Sequence, residues 1–286
     1  MTAIKANIRS LACTWRSLLI ALLLFGCAIA SPDTASSDKA PIIEWELVAT
    51  HVHDPDRFTQ GLDLEDGIWL ESSGGFNNSF VVTENAERTI AGRRLPAGEF
   101  AEGATFAGEH IWLLTWRNGI ARRLDRRLGN AHRFHYEGEG WGLTWDGDAL
   151  IMSDGSERLT FRDPATFDVL RSVIVRDGIR AIGRLNELEH DGTLVWANIF
   201  GSDRVAAINP HTGSVCGWLD LAPLGERFDR PMFWDSVNNV LNGIAHDART
   251  DHLHVTGKRW PERYEIAPRI PPITHACAAE RATGRK

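Results

Sequence analysis

The chain has 286 residues, 43% of them hydrophobic, which is enough for a substantial buried core. Its formal charge of −7 argues against a partner held through a phosphate backbone, so no nucleic acid is expected. Eleven Trp against two Tyr is an unusual aromatic balance for a globular protein.

The first segment, "MTAIKANIRSLACTWR", carries Lys5, Arg9 and Arg16 and no acid, and the apolar run "SLLIALLLFGC" follows it. This order predicts an export leader over residues 1–27. A membrane span is disfavoured, because the run from Leu18 to Ala30 is shorter than the roughly 20 residues such a helix needs. "LFGC" resembles a bacterial lipoprotein box, in which Cys27 is lipidated and anchors the mature chain to the membrane; "AIA" over residues 28–30 resembles an ordinary signal-peptidase site. The lipoprotein reading is preferred, with Phe25 an uncommon residue for that box. Residues 28–40 read as a flexible tether, and the product as exported, either periplasmic or anchored to the envelope. Removing residues 1–27 takes the formal charge from −7 to −10. Of the Cys residues, Cys216 and Cys277 then remain; an oxidising compartment permits their pairing, and neither has metal-ligand spacing.

Residues 41–270 are a succession of short β-rich runs closed by Gly, Asn or Asp. "IIEWELVAT", "GIWLES", "SFVVT", "HIWLLTW", "GIARRLD", "ALIMSD", "RLTFRD", "TLVWANI", "RVAAINP" and "HLHVTG" all have strand length and strand composition. Turn signals recur between them, notably "RDPATFDV" and "INPHTGSV", where Asp or Asn before Pro opens a turn. Residues 271–286 read as a C-terminal tail.

One motif recurs as "FTQGL", "FAEGATF", "GEGWGL", "RLNELE" and "VLNGIA". Its variable position reads Gln60, Glu102, Trp141, Asn186 and Asn242, at steps of 42, 39, 45 and 56 residues. A whole motif returning about every 40 residues, each time followed by short strands, predicts an all-β fold, a five-bladed β-propeller, rather than a sandwich. Residues 221–239 lengthen the last interval as an inserted loop or short helix. The strand from Glu44 to Ala49 precedes the first motif and is expected to close the ring by joining the last blade.

Innermost propeller strands line the central channel, so the five motif positions are expected at one mouth, with Gly61, Gly103, Gly142 and Gly243 beside them allowing close backbone approach. Glu102 is the one acid among the five. Beside Phe100, on a strand of small residues, it faces desolvation that raises its pKa toward the range useful for proton transfer. Lys258, in "VTGKRWP", is its expected partner, as an ion pair or as a stabiliser of developing negative charge. Phe58, Phe100, Trp116, Trp141 and Phe200 are expected as an apolar collar, with blade core as the competing role for each. No HExxH, GxSxG or Ser-His-Asp pattern is present, and "HVH" and "HLH" are weak metal hints.

The set "FTQGL", "FAEGATF", "LLTWRNG", "GWGLTWDG", "LIMSDGSERLTFRDPATFDVLRSV", "LNELE", "WANIF", "INPHTGSVCGWLDL", "VLNGIA" and "VTGKRWP" resembles the plant- and bacterial-type glutaminyl cyclases, also called glutaminyl-peptide cyclotransferases, from about Trp45 to Ile266. The resemblance implies a five-bladed propeller that converts an N-terminal glutaminyl residue of a peptide or protein into pyroglutamate with loss of ammonia. It makes Glu102 the proton shuttle, Asn186 and Lys258 the polar partners of the reacting amide, and Gln60, Phe58, Phe100, Trp116, Trp141 and Phe200 the lining that binds substrate. It implies no required cofactor and no zinc at the reacting centre; a structural divalent cation, calcium, held by backbone carbonyls in the channel is compatible with the sequence. The chain is expected to work as a monomer. Two departures stand out: Phe200 occupies a position where the family commonly has Trp, and Ala101 and Ala104 are smaller than the usual neighbours of the acid. The competing reading is a non-catalytic envelope propeller that binds a peptide or protein partner; a metal-dependent hydrolase propeller fits less well, because one acid among five motif positions is thin for a catalytic metal site.

Overall fold

The computed structural model describes residues 39–280. The leader, Cys27, most of the tether and the end of the tail lie outside the described residues.

The short β-rich runs become strands, and the turns between them make four-stranded antiparallel sheets. Strand β1 (Glu44–Val52) comes first in the chain. Blade 1 is β2 (Thr59–Glu65), β3 (Ile68–Ser73), β4 (Phe80–Glu84) and β5 (Thr89–Arg94). Blade 2 is β6 (Ala101–Ala107), β7 (His110–Thr115), β8 (Ile120–Asp125) and β9 (His132–His135). Blade 3 is β10 (Leu143–Trp145), β11 (Leu150–Ser153), β12 (Arg158–Arg162) and β13 (Val169–Ile174), followed by a small hairpin of β14 (Arg176–Asp177) and β15 (Arg180–Ala181). Blade 4 is β16 (Leu185–His190), β17 (Val195–Ile199), β18 (Arg204–Ile208) and β19 (Val215–Asp220). A short helix, α1 (Ala222–Gly225), and an irregular stretch to residue 240 form the insertion before blade 5.

Blade 5 has β20 (Leu241–Asp247), β21 (His252–Gly257) and β22 (Glu262–Arg269) from the end of the chain and β1 from its beginning. β1 pairs antiparallel with β22 from Glu44 opposite Arg269 to Val52 opposite Glu262. The first strand therefore closes the ring and covers the outer edge of the last blade, which would otherwise present unpaired backbone groups.

Two of the recurrent turns show why the sequence punctuates as it does. The Asp163 carboxylate accepts from the N–H groups of Ala165 and Thr166, and the Asn209 side-chain oxygen does the same for His211 and Thr212. Each is an Asx turn, made by a side chain short enough to reach the backbone two and three residues on. Both end on a left-handed residue, Phe167 at φ 66° and Gly213 at φ 78°.

Between blades the apolar faces merge into successive clusters. Trp112, Leu114, Leu150 and Phe167 fill the junction of blades 2 and 3, with Trp112 and Phe167 stacked 5.1 Å apart. Around the axis the inner strands approach too closely for side chains. A Cβ on Gly61 would overlap the Ala104 nitrogen, one on Gly103 the Leu143 nitrogen and one on Gly142 the Asn186 carbonyl. At these three positions the motif glycine is required by the close approach of the neighbouring inner strand.

The tail beyond blade 5 forms α2 (Pro272–Ala279). Thr274 donates its hydroxyl to the Cys216 carbonyl, the Asn209 amide donates to the carbonyls of Cys277 and Glu280, and Cys216 and Cys277 are joined as a disulfide. The bridge spans 61 residues. Cross-linking so long a loop restricts the unfolded chain, so Cys277→Ser is expected to lower the unfolding free energy by about 3 kcal/mol, read as a shift in denaturant midpoint under oxidising conditions.

Candidate active site

Four of the five motif residues converge. Gln60, Glu102, Trp141 and Asn186 line one cavity of about 320 Å³, together with Phe58, Phe100, Trp116, Phe200, Lys258 and Asn238. Asn242, the fifth, is fully buried away from that lining and donates its amide to the Thr59 carbonyl, so it joins blade 5 to blade 1 instead. Asn238 had no motif to mark it; it reaches the cavity from the insertion before blade 5.

Glu102 projects from β6, where its neighbours are all small or apolar and buried. Burial pushes its carboxyl up to about 8; the Lys258 ammonium pulls in the opposite direction, and the Glu139 charge adds a smaller upward push. Lys258 is pushed down to about 8 by burial, partly opposed by Glu102. Each group therefore feels the other. Yet they form no ion pair within 4.0 Å among the described residues. The acid and the cation both line the same hollow.

The position of Lys258 is built by the turn after β21. Its N–H donates to the Val240 carbonyl, the Arg259 N–H donates to the Arg57 carbonyl, and Arg259 is left-handed at φ 62°. The Trp260 indole folds back over Gly257, where any Cβ would collide with the ring. That explains why "TGKRWP" is so particular a string. His53 secures the turn from below, pairing one ring nitrogen with the Trp260 carbonyl at 2.7 Å and the other with Glu71 at 3.0 Å. Arg57 joins the same Glu71 at 2.6 Å, so burial of that carboxyl is more than offset and it is held down at about 2. The Lys258 ammonium lies 5.1 Å from the Phe58 ring centre and 5.4 Å from that of Phe200, where aromatic faces attract a cation.

The aromatic walls are held from outside the motifs. Glu139 accepts the indole N–H of Trp116 at 2.7 Å and of Trp141 at 2.9 Å on one oxygen, and Arg117 on the other at 2.9 Å. Burial alone would raise this carboxyl, but those donors hold it below the usual range. Phe100 meets Trp116 edge-on at 5.6 Å, Phe58 meets Phe100 at 6.3 Å, and Trp141 meets Phe200 at 5.8 Å. Phe76, largely exposed at the rim, packs against both Phe100 and Trp116. Neither Glu139 nor Phe76 stood out in the sequence. "GEGWG" did place an acid two residues before an inward Trp, which was the available signal for Glu139.

The inner strands also carry buried acids besides Glu102. Asp63 is pushed up to about 6 by burial, against donors from Phe106, Thr105 and Leu64. Glu187 and Glu189 are raised well above the usual carboxyl range by burial, with backbone N–H groups opposing. Glu187 stands where the other four motifs have Gly. Its two oxygens accept the N–H of Leu62 at 3.2 Å and of Ile244 at 2.8 Å, tying blades 1 and 5 to blade 4 across the channel.

A five-bladed propeller whose single mouth joins a raised carboxyl, a lowered ammonium and a cage of aromatic rings defines a class: a site for proton transfer on a small, partly apolar group. The family model described as "Glutamine cyclotransferase" matches residues 18–267. A protein of Arabidopsis thaliana named glutaminyl-peptide cyclotransferase is 39% identical over 230 residues, covering 79% of this chain and 71% of its own. The crystal structure of Myxococcus xanthus glutaminyl cyclase superposes with a TM-score of 0.72 at 30% identity, covering 80% of this chain and 98% of the other. The chain belongs to the glutamine cyclotransferase family.

Proposed function

We propose that the protein is a glutaminyl-peptide cyclotransferase, converting the N-terminal glutaminyl residue of a peptide or protein to pyroglutamate and releasing ammonia. The observation that carries this reading is Glu102: a carboxyl buried in an aromatic hollow and pushed up to about 8, opposite a lysine it does not touch. In the substrate, the α-amine attacks its own γ-carboxamide carbon; a C–N bond forms, the ring closes on five members, and the bond to the amide nitrogen breaks. Because attack is intramolecular, the site has mainly to fold the side chain back and keep water away.

Glu102 supplies the proton bookkeeping. An α-amine has a pKa of about 8, matched to that of the buried acid, so a proton passes between them at little cost in either direction. The carboxylate takes the proton from the attacking amine and returns it to the departing nitrogen, which leaves as ammonia. Lys258 and Asn186 donate toward the carbonyl oxygen as it gains negative charge. Gln60 lies beside them as a further donor or acceptor, with its side-chain oxygen buried and unpartnered. Phe58, Phe100, Trp116, Trp141 and Phe200 enclose the two methylenes of the substrate side chain. No step needs a cofactor.

Incubation of the purified protein with a synthetic Gln-initiated peptide tests the reading: a loss of about 17 Da, equal in rate with and without chelator, is expected from ring closure with ammonia release. No mass loss would leave a peptide-binding propeller in its place. Lys258→Met is expected to lower kcat roughly 10²- to 10³-fold, because it removes a donor to the oxyanion. The melting temperature should hardly change.

The setting of this activity is part of the same proposal. The chain is read as exported through residues 1–27, lipid-anchored at Cys27 and monomeric; the Cys216–Cys277 bridge supports an oxidising compartment. Loss of membrane association in Cys27→Ser would test the anchor. For a structural calcium ion in the channel, the acids there offer no ready cage: Asp63, Glu187 and Glu189 are engaged by backbone N–H groups. Backbone carbonyls remain the ligands that expectation requires.

A further inference from the structure

Blade 5 carries a second cluster of titratable side chains, unconnected with the cavity. His254 on β21 lies directly opposite Glu265 on β22, and His51 on β1 sits on the diagonal, since Ala49 is the direct partner of Glu265 and His51 that of Arg263. Direct and diagonal neighbours project from one face of a sheet. All three side chains accordingly meet there, and each presents a ligand atom within 4.8 Å of the other two.

We propose that His51, His254 and Glu265 form a binding site for a divalent transition metal of the zinc type, which fastens the ring at its closure. Two imidazoles and a carboxylate, with a fourth position open to water, are a donor set suited to Zn2+. The edge of a tetrahedron with bonds of 2.0–2.1 Å is about 3.3 Å, and His51 Nε2 lies 3.3 Å from Glu265 Oε2. One edge of the polyhedron is therefore already set, and the third ligand needs to move inward by little more than an ångström.

Three further observations favour a ligand over a self-contained hydrogen-bond network. His254 is 5% exposed and its Nδ1 is buried with no partner, a cost that a network would remove. Trp69 from blade 1 closes over it edge-on at 5.0 Å, fixing the ring without using its nitrogens. His252 hydrogen-bonds the other oxygen of Glu265 at 2.7 Å, which orients the carboxylate so that Oε2, held in this structure by His51, is the oxygen a metal would take over. Access is from solvent, along a cleft lined by His51, Trp69, Glu84, Asp247, Arg249 and Arg263. Among these, Arg249 and Arg263 are the charges that oppose a cation, and Arg249 is paired with Asp247 at 2.7 Å. The Arg263 guanidinium is committed to the Trp69 face, 3.6 Å from the ring centre, and Glu84 and Asp247 are each paired with an arginine, Arg57 and Arg249.

The consequence is structural. β1 comes from early in the chain and β21 and β22 from late in it, so one ion would join the two across the seam where β1 pairs with β22 to complete blade 5. Calorimetric titration of the full chain with ZnCl2 is expected to show one tight site, and Co2+ in its place the strong visible band of tetrahedral coordination. Zinc should also raise the melting temperature by roughly 5 °C. Both the one-to-one heat and the band should vanish in His254→Gln, and in His51→Ala, where the side chain is half exposed and folding is not at stake. His252→Ala should keep the stoichiometry and weaken binding roughly 10- to 100-fold. Absence of tight binding in the wild-type chain, or tight binding undiminished in His51→Ala, overturns the proposal.

Discussion

Glu102→Gln is expected to lower kcat by roughly 10²- to 10⁴-fold, the usual contribution of a positioned acid-base group, with the thermal melt close to that of the wild type. The amide keeps the volume of the carboxyl and removes only its ability to exchange a proton, so a folded but inactive protein is the expected product. A companion measurement is the pH profile of kcat/KM. On the proposed mechanism, turnover requires Glu102 as the carboxylate that takes the amine's proton, and a charged Lys258. As the pH falls below about 8, amine and carboxyl are both protonated and the base is lost. As it rises above the same region, Lys258, itself near 8, loses the charge that stabilises the developing oxyanion. The profile should be a narrow bell centred near pH 8, and a rate that rises steadily from pH 5 to a plateau at pH 7 would contradict it.

Glu187→Ala should cost the fold about 4 kcal/mol, because it leaves two buried backbone N–H groups without an acceptor at roughly 1–3 kcal/mol each. For a domain of this size that corresponds to a fall in melting temperature of about 8–16 °C. Glu187→Gln should fall between the two, since its carbonyl replaces one acceptor and its amide group faces the second N–H as a donor. Residual kcat measured well below the melt should stay within a few-fold of wild type, as Glu187 is turned to the channel backbone and not to the cavity. A melt unchanged by Glu187→Ala would show that water or a neighbouring group takes over both donors.

How much was legible can be judged residue by residue. The five motifs were visible because each blade must repeat the same local solution: a strand of small residues, a turn and an apolar strand. Gln60, Glu102, Trp141 and Asn186 meet because each occupies an equivalent place at the start of an inner strand, Trp141 just ahead of β10, a relation that sequence spacing preserves. Asn242 holds the same place in its motif, though after a longer step of 56 residues, and nonetheless turns its amide to the Thr59 carbonyl, since a repeat fixes the strand position and not the side-chain rotamer. Glu187 broke the glycine pattern in plain view. Reading that break as a deliberate stopper required knowing that Leu62 and Ile244 present bare N–H groups across a narrow channel.

Glu139 and Asn238 were harder still, because loops obey no period. What the sequence alone determined here was the local alphabet, namely strands, Asx turns, close-packed glycines and one unusual acid, since backbone preference and side-chain alternation act over a few residues. What only the tertiary structure decided were the meetings across blades: the indoles on Glu139, Cys216 with Cys277, and His51 with His254 and Glu265. Those depend on ring radius and on the register by which β1 joins β22, both set by the packing of the whole circle and by no single stretch of chain.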